Sequence, residues 1–381
     1  MARRTGQIIR RGDARFVVRI YLGTDANGKR RYHNHTVRGT KKDAQAWLTA
    51  ALRRLDLGES LEMTSLSLND YLDQWLVTAV TPKVRTHTLD DYTRTLARYV
   101  RPKLGKHKLT SITPMDLQAL YGGMLANGLT ARTVRLVHAV LSSAFKQGIR
   151  WQMLQQNPCA NVELPKQQHR EMSALSPEQA ARFLVAIQDD RYGVLFSLML
   201  ATGIRPSEAY GLQWADVDWQ RGLITIQRKL TRLRTGGWQF DEPKTVKSRR
   251  SIPLPTSLLE ALKAHRKTQL EERMRWGSEW QDNDLVFTSE GGTPIHQRNL
   301  MRRYYKPALA KAGLPASLRL YDLRHTCATL LLADGENLKV VSERLGHSTI
   351  TLTADVYAHV SESMQRQATD RMERLLYNGQ N

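Results

Sequence analysis

The stretch LRLYDLRHTCATLLLADG, Leu318–Gly335, decides how the rest of the chain is read. Its second half is a buried-helix pattern, yet Asp322, Arg324 and His325 stand at the helix start. Burying a charge is expensive unless it is paired. Either Arg324 pairs locally with Asp322, or it waits for an anion from outside the chain. Three other segments set the same question. In LATGIRPSEAYGLQW (200–214), Pro206 suits a first helical turn and places Arg205 at a helix start, beside Glu208. In DEPKTVKSRRSIPL (241–254), a hairpin carries Lys244, Lys247, Arg249 and Arg250, and in ERLGHSTITLTADVYAHV (343–360) His347 follows a glycine with Tyr357 ten residues on. Each alone reads as surface charge or a core aromatic. Their joint occurrence in one chain argues for a common anionic ligand.

The whole chain supports that. Its 381 residues carry 57 Lys+Arg against 36 Asp+Glu, a formal charge of +21, which makes a polyanion the expected partner, nucleic acid first and an acidic membrane surface second. No apolar run is long enough to span a membrane and the amino terminus has no signal-peptide centre, so a cytoplasmic, nucleoid-associated chain is expected. The two cysteines, Cys159 and Cys327, have neither disulfide-framework nor zinc spacing. No phosphate-binding glycine loop is present. No metal and no cofactor is expected.

Residues 1–57 hold fourteen Lys/Arg against four acids. ARFVVRIYLG and KRRYHNHTV read as strands about an Asn27-Gly28 turn, followed by a helix from Thr40 with Asp43 placed to cap it. Arg10, Arg11, Arg15, Arg19, Lys29, Arg30, Arg31 and Tyr32 are the candidate DNA contacts of this sheet. Tyr21, His33 and His35 are interleaved with those cations. Helices are expected at 67–78, 86–100, 113–126 and 130–147, making a four-helix domain over 64–160. After a proline-rich boundary, 170–381 reads as a mainly helical domain, with helices at 176–188, 192–201 and 206–214 and a short antiparallel sheet between 222 and 254. The tail has Met364, Ala368, Met372 and Leu375 at helical spacing, an apolar stripe to bury on its own domain or on a neighbouring copy. The fold class is α+β and multi-domain: a small three-stranded sheet plus helix, a four-helix domain, then a mainly helical domain with a small antiparallel sheet.

The four segments together resemble the tyrosine recombinase (phage integrase) family. TGIRPSEAYGLQWADVD is similar to its first arginine box, PKTVKSRRSIPL to its lysine hairpin, YDLRHTCATLLLADG to its second arginine box and LGHSTITLTADVYAH to its histidine and tyrosine box. The amino-terminal module resembles the arm-site-binding domain of the longer, two-site integrases. The resemblance implies a site-specific DNA recombinase, independent of metal and ATP, in which Arg205, Lys244, Arg324 and His347 surround a scissile phosphate and Tyr357 is the nucleophile. Glu208 and Asp322 would buttress the arginines. Tyr321 stands where the family most often has histidine. Implied partners are double-stranded DNA at core and arm sites, three further copies in a homotetramer, and a host DNA-bending protein and an excisionase. An inactive DNA-binding regulator on the same fold, or a chromosome- or plasmid-dimer resolvase, are the alternatives.

Overall fold

The computed structural model describes residues 6–24, 28–56, 65–167, 173–233, 236–242, 249–347, 349–351, 353–354, 369–370, 372–374 and 376–377. The chain divides into two compact units, Met1–His169 and Arg170–Asn381.

The first unit opens with three antiparallel strands in the order β1 (Gly6–Gly12), β2 (Arg15–Thr24), β3 (Arg30–Arg38), backed by helix α1 (Lys41–Asp56). Successive strand side chains point to opposite faces, so Val18 and Ile20 turn inward onto Ala44, Leu48, Ala51 and Leu55 of the helix. Asp43 caps α1, its carboxylate accepting from the Thr40 N–H at 2.7 Å and hydroxyl at 2.8 Å. Asn27 of the expected turn lies outside the described residues.

The helical part of this unit begins at Ser67, which forms a reciprocal capping box with Asp70. Helix α2 (Leu68–Trp75) passes into a π turn at Leu76–Val80, and α3 (Thr86–Thr95) runs through a second, Leu96–Val100, into the short α4 (Arg101–Leu104). Thr113, boxed with Asp116, starts α5 (Pro114–Ala126), and Thr130 starts α6 (Ala131–Arg150). Leu68, Leu72, Trp75, Leu96, Leu117, Val137, Leu141 and Phe145 fill the space between them. The buried Tyr71 hydroxyl is satisfied by the Ala144 carbonyl at 2.5 Å. The expected four helical segments are all present.

The second unit starts with α7 (Pro177–Ala186), boxed by Ser176 and Gln179, then the mostly apolar α8 (Gly193–Thr202) and the single turn α9 (Pro206–Tyr210). The expected helix 206–214 stops early. Gly211 lies against the Lys229–Leu230 backbone, where a Cβ would come within 2.8 Å of an amide nitrogen. The expected single sheet is two. Strand β5 (Leu223–Ile226) is the centre of one sheet, pairing with β4 (Val217–Asp218) on one side and β8 (Arg250–Pro253) on the other, while β6 (Lys229–Arg232) and β7 (Trp238–Asp241) form a separate ribbon. Helices α10 (Thr256–Trp276), α11 (Gln297–Leu300), α12 (Lys306–Lys311), α13 (Asp322–Ala333) and α14 (Leu338–Leu345) follow. Phe183, Leu195, Phe196, Met199, Ile224, Leu262, Tyr305 and Leu323 belong to its core. Among the described residues no helix is long and apolar enough to cross a membrane, and no group of three His, Cys, Asp or Glu side chains could hold a metal ion.

Candidate active site

Arg205 and Glu208 come together because α9 is one short turn. The Glu208 carboxylate caps it, accepting from the Arg205 N–H at 3.0 Å and from Arg205 Nη1 at 2.7 Å. The Arg205 N–H is therefore satisfied internally. Glu208 also accepts from Arg250 Nη2 at 2.9 Å, both side chains being 7% exposed. Burial pushes the Glu208 carboxyl up, but Arg250 and Arg205 overcome it and hold the group below its ordinary range.

Two glycines bring the other elements close. Gly203 ends α8 in the left-handed region at φ 67°, where a Cβ would meet Leu345 at 2.4 Å. Its carbonyl accepts from Arg324 Nη1 at 2.7 Å. Gly346 ends α14 at φ 64°, and a Cβ there would meet the Arg250 guanidinium at 2.9 Å. Only glycine adopts that backbone cheaply against such a neighbour. The Gly346 turn is held from both sides: Arg205 Nη2 donates to the Gly346 carbonyl at 3.3 Å and Arg250 Nε to the Arg344 carbonyl at 2.6 Å. His347 leaves this turn with Nδ1 at 2.7 Å from the hydroxyl of the fully buried Thr353.

Arg324 is 2% exposed, and its Nη2 has no hydrogen-bond partner among the described residues. Burial, then the nearby Arg205 charge, lowers its pKa to about 10, so it stays cationic at neutral pH. Burial also lowers His347 to about 4, with Arg324, Arg205 and Arg250 adding to the shift. The imidazole is neutral at pH 7. A Thr353 hydroxyl that donates to Nδ1 would leave the ring proton on Nε2. The assembled site is a strongly positive cluster, with Arg324 and Arg250 buried and a neutral histidine beside them, suited to a compact anion with several oxygens.

Arg205, Glu208, Arg324 and His347 are thus brought together. Tyr321, 45% exposed at the start of α13, is among the groups that act on the Arg324 charge. Asp322 does not pair with Arg324. Its carboxylate binds Arg319, accepting from the amide at 2.8 Å and from Nη2 at 2.7 Å, because the first turn of α13 directs it back over the preceding loop. Lys244, Lys247 and Tyr357 lie outside the described residues, as do Met364, Ala368 and Leu375 of the tail; Met372 is exposed. Arg250, named only as one of the hairpin's cations, and Thr353 were not expected among the site residues. Arg250 carries a usable signal, since strand alternation puts it on the same side as the buried Ile252. Thr353 carries none.

In the amino-terminal sheet Arg10, Arg11, Arg15, Arg19, Lys29, Arg30 and Arg31 are exposed and Tyr32 is half-buried. Arg10 pairs with Asp13 at 2.9 Å. Arg19 lies 4.1 Å above the Tyr32 ring. His33 and His35 stack on Trp47 of α1, with centroids 6.0 and 4.1 Å away, so they occupy the helix side rather than alternating with the cations on the open face.

Residues 173–364 match the model of the phage integrase family, and residues 67–125 that of the phage integrase N-terminal SAM-like domain. A tyrosine recombinase XerC-like protein of Caldanaerobacter subterraneus subsp. tengcongensis is 30% identical, across 98% of this chain and 99% of its own. Among solved structures, the Tn1549 transposon integrase in complex with transposon right end DNA superposes with TM-score 0.68 at 23% identity, over 80% of this chain and 99% of that one. A lambda integrase tetramer bound to a Holliday junction gives 0.58 at 18% identity, over 92% and 94%. The order of the four boxes, the matched segments and the relative's near-complete coverage agree, and the chain belongs to the phage integrase family of tyrosine site-specific recombinases.

Proposed function

We propose that this recombinase integrates and excises a phage or other mobile element, cutting DNA through a covalent 3′-phosphotyrosyl intermediate on Tyr357. The observation that carries the reading is the Arg324 guanidinium, charged, almost wholly buried and with Nη2 unpartnered among the described residues, grouped with Arg205 and His347. Attack on a phosphodiester gathers charge on the non-bridging oxygens, and two forked guanidiniums meet it without reorganising. The Tyr357 oxygen bonds to phosphorus as the P–O5′ bond breaks. A phenol has an ordinary pKa near 10, and the surrounding cations favour its phenolate form. Lys244 protonates the departing 5′ oxygen, a task for which a guanidinium is too weak an acid. His347 donates Nε2–H to a phosphate oxygen. Glu208 holds Arg205, and Tyr321 assists phosphate binding or proton transfer. The released 5′ hydroxyl of a partner strand then attacks the phosphotyrosine and restores a phosphodiester, so the ester carries the bond energy through and no nucleotide cofactor enters.

Residues 1–57 would bind arm sites, 64–160 and 170–381 the core site, four copies acting together. A host DNA-bending protein and an excisionase complete the proposed assembly. The basic sheet module and the transposon and lambda integrases among the structural neighbours support the mobile-element reading. The XerC-like relative, matched over almost its full length, favours a second reading, resolution of replicon dimers.

A core-site duplex with a 5′-bridging phosphorothiolate traps the covalent intermediate, since the released thiol religates poorly. Wild type should give a protein–DNA adduct on a denaturing gel and Tyr357→Phe none; an adduct that survives that substitution sinks the mechanism. Deleting residues 1–57 should abolish arm binding and spare core cleavage. Recombination that needs no arm DNA would favour the resolvase.

A further inference from the structure

The Gly346 turn delivers His347 from a closed helix end: the His347 N–H donates to the Ser342 carbonyl at 3.0 Å and that of Gly346 to the Glu343 carbonyl at 2.9 Å. Beyond the turn the Ile350 carbonyl accepts from the N–H groups of Thr353 and Ala354, both at 2.9 Å, and Thr353 is fully buried. The 2.7 Å contact between Thr353 Oγ1 and His347 Nδ1 therefore joins two fixed stretches of backbone. Its direction follows from what each group has to give. The imidazole is uncharged at pH 7, its pKa pushed down to about 4 by burial and by Arg324, Arg205, Arg250 and His325, so one ring nitrogen carries a hydrogen and the other a lone pair. If the hydrogen sat on Nδ1, the Thr353 hydroxyl would accept it and its own hydrogen would have no acceptor among the described residues. A buried donor left in that state has given up its hydration for nothing. With the hydroxyl donating, both groups are satisfied and the ring hydrogen goes to Nε2.

We infer that Thr353 is a positioning residue for strand cleavage: its hydroxyl, by donating to Nδ1, holds the His347 ring in one orientation and one tautomer, with Nε2–H turned to the scissile phosphate. The inference rests on the phosphotyrosyl reading above. Thr353 touches no reacting atom and acts through His347 alone. A donor aimed before the DNA arrives stabilises the charge that develops on the phosphate without reorganising, whereas an imidazole with nothing on its other nitrogen exchanges tautomers and turns about its side-chain bonds. Threonine suits the task because its branched Cβ makes χ1 stiff, which keeps the hydroxyl in line with the ring.

Thr353 stands four residues before Tyr357 in the sequence, so a lost hydroxyl and a displaced nucleophile would both slow cleavage, and the rate alone does not separate them. Nitrogen-15 spectra of the full-length chain with labelled histidine do, the His347 signals being those that His347→Gln lacks. At pH 7 wild type should show a lone pair on Nδ1 and the hydrogen on Nε2. Thr353→Val should give averaged signals, the two tautomers now exchanging, and should slow single-turnover adduct formation on the phosphorothiolate core site about ten-fold, the factor that one neutral hydrogen bond supplies. Thr353→Ser should restore both. A hydrogen on Nδ1 in wild type overturns the inference whether or not the variants fold. A Thr353→Val spectrum like that of wild type overturns it too, at any rate of cleavage, as does a serine variant that recovers neither signal nor rate. The two readings fail separately: a Tyr357-dependent adduct with the hydrogen on Nδ1 ends the inference alone, whereas the expected tautomer with no such adduct ends the phosphotyrosyl reading and the role of Thr353 in cleavage with it.

Discussion

Replacing Arg324 with methionine separates a residue kept for chemistry from one kept for stability. Burial and the Arg205 charge lower the Arg324 pKa from the ordinary arginine range to about 10, and each pKa unit is worth about 1.4 kcal/mol. The sign follows from linkage: a group with a depressed folded pKa contributes stability only above its unfolded pKa, so at pH 7 the cationic Arg324 is a cost, of roughly 3 kcal/mol. Against this stands the 2.7 Å hydrogen bond to the Gly203 carbonyl, a charge-assisted bond worth about 1.5–3 kcal/mol. The two nearly cancel. Arg324→Met should therefore melt within a few degrees of wild type, by scanning calorimetry, or slightly above it. Adduct formation on the phosphorothiolate core site should fall about 10²–10³-fold. Inorganic phosphate should raise the wild-type melting temperature and leave the variant unmoved. A destabilisation of more than about 3 kcal/mol, with cleavage within ten-fold of wild type, would refute the reasoning, because Arg324 would then be a structural cation.

Arg250→Met should slow cleavage and move the acidic limb of the rate–pH profile upward, since Arg250 is one of the charges that depress His347; Arg250→Lys should keep the limb but not the full rate. Single-turnover rates between pH 4 and 8 check both. Tyr321→Phe should slow cleavage if the hydroxyl takes part, with Tyr321→His restoring it; an unchanged rate in Tyr321→Phe reduces Tyr321 to a spacer. His347 contributes stability above its ordinary pKa of 6.5 that is lost as pH falls through about 4. The melting temperature of His347→Gln should accordingly drop less than that of wild type between pH 6.5 and 4.

Local chemistry made most of the fold readable. Ser67, Thr113 and Ser176 announce helix starts, and each forms the capping box its sequence proposes. What failed depended on contacts distant in sequence. The helix expected over 206–214 has good helix formers on both sides of Gly211, yet Gly211 must pass against the β6 backbone. His33 and His35 look like partners of the neighbouring cations until α1 brings Trp47 beneath them. In the site, Arg205 with Glu208 was legible because both sit on one turn. Asp322 was expected to serve Arg324 and instead binds Arg319, three residues before it, since helix geometry puts neighbouring positions on diverging directions. Arg250 belongs to the site only because, from β8, it reaches both Glu208 and the Arg344 carbonyl at the end of α14.

The central claim is a covalent bond between Tyr357 and a DNA 3′ phosphate. Mass spectrometry of the protease-digested, nuclease-trimmed adduct locates it. The peptide containing Tyr357 should carry a nucleotide joined through its 3′ phosphate, with a free 5′ thiol on the released strand. A label on any other residue, or a 5′ linkage, would contradict it.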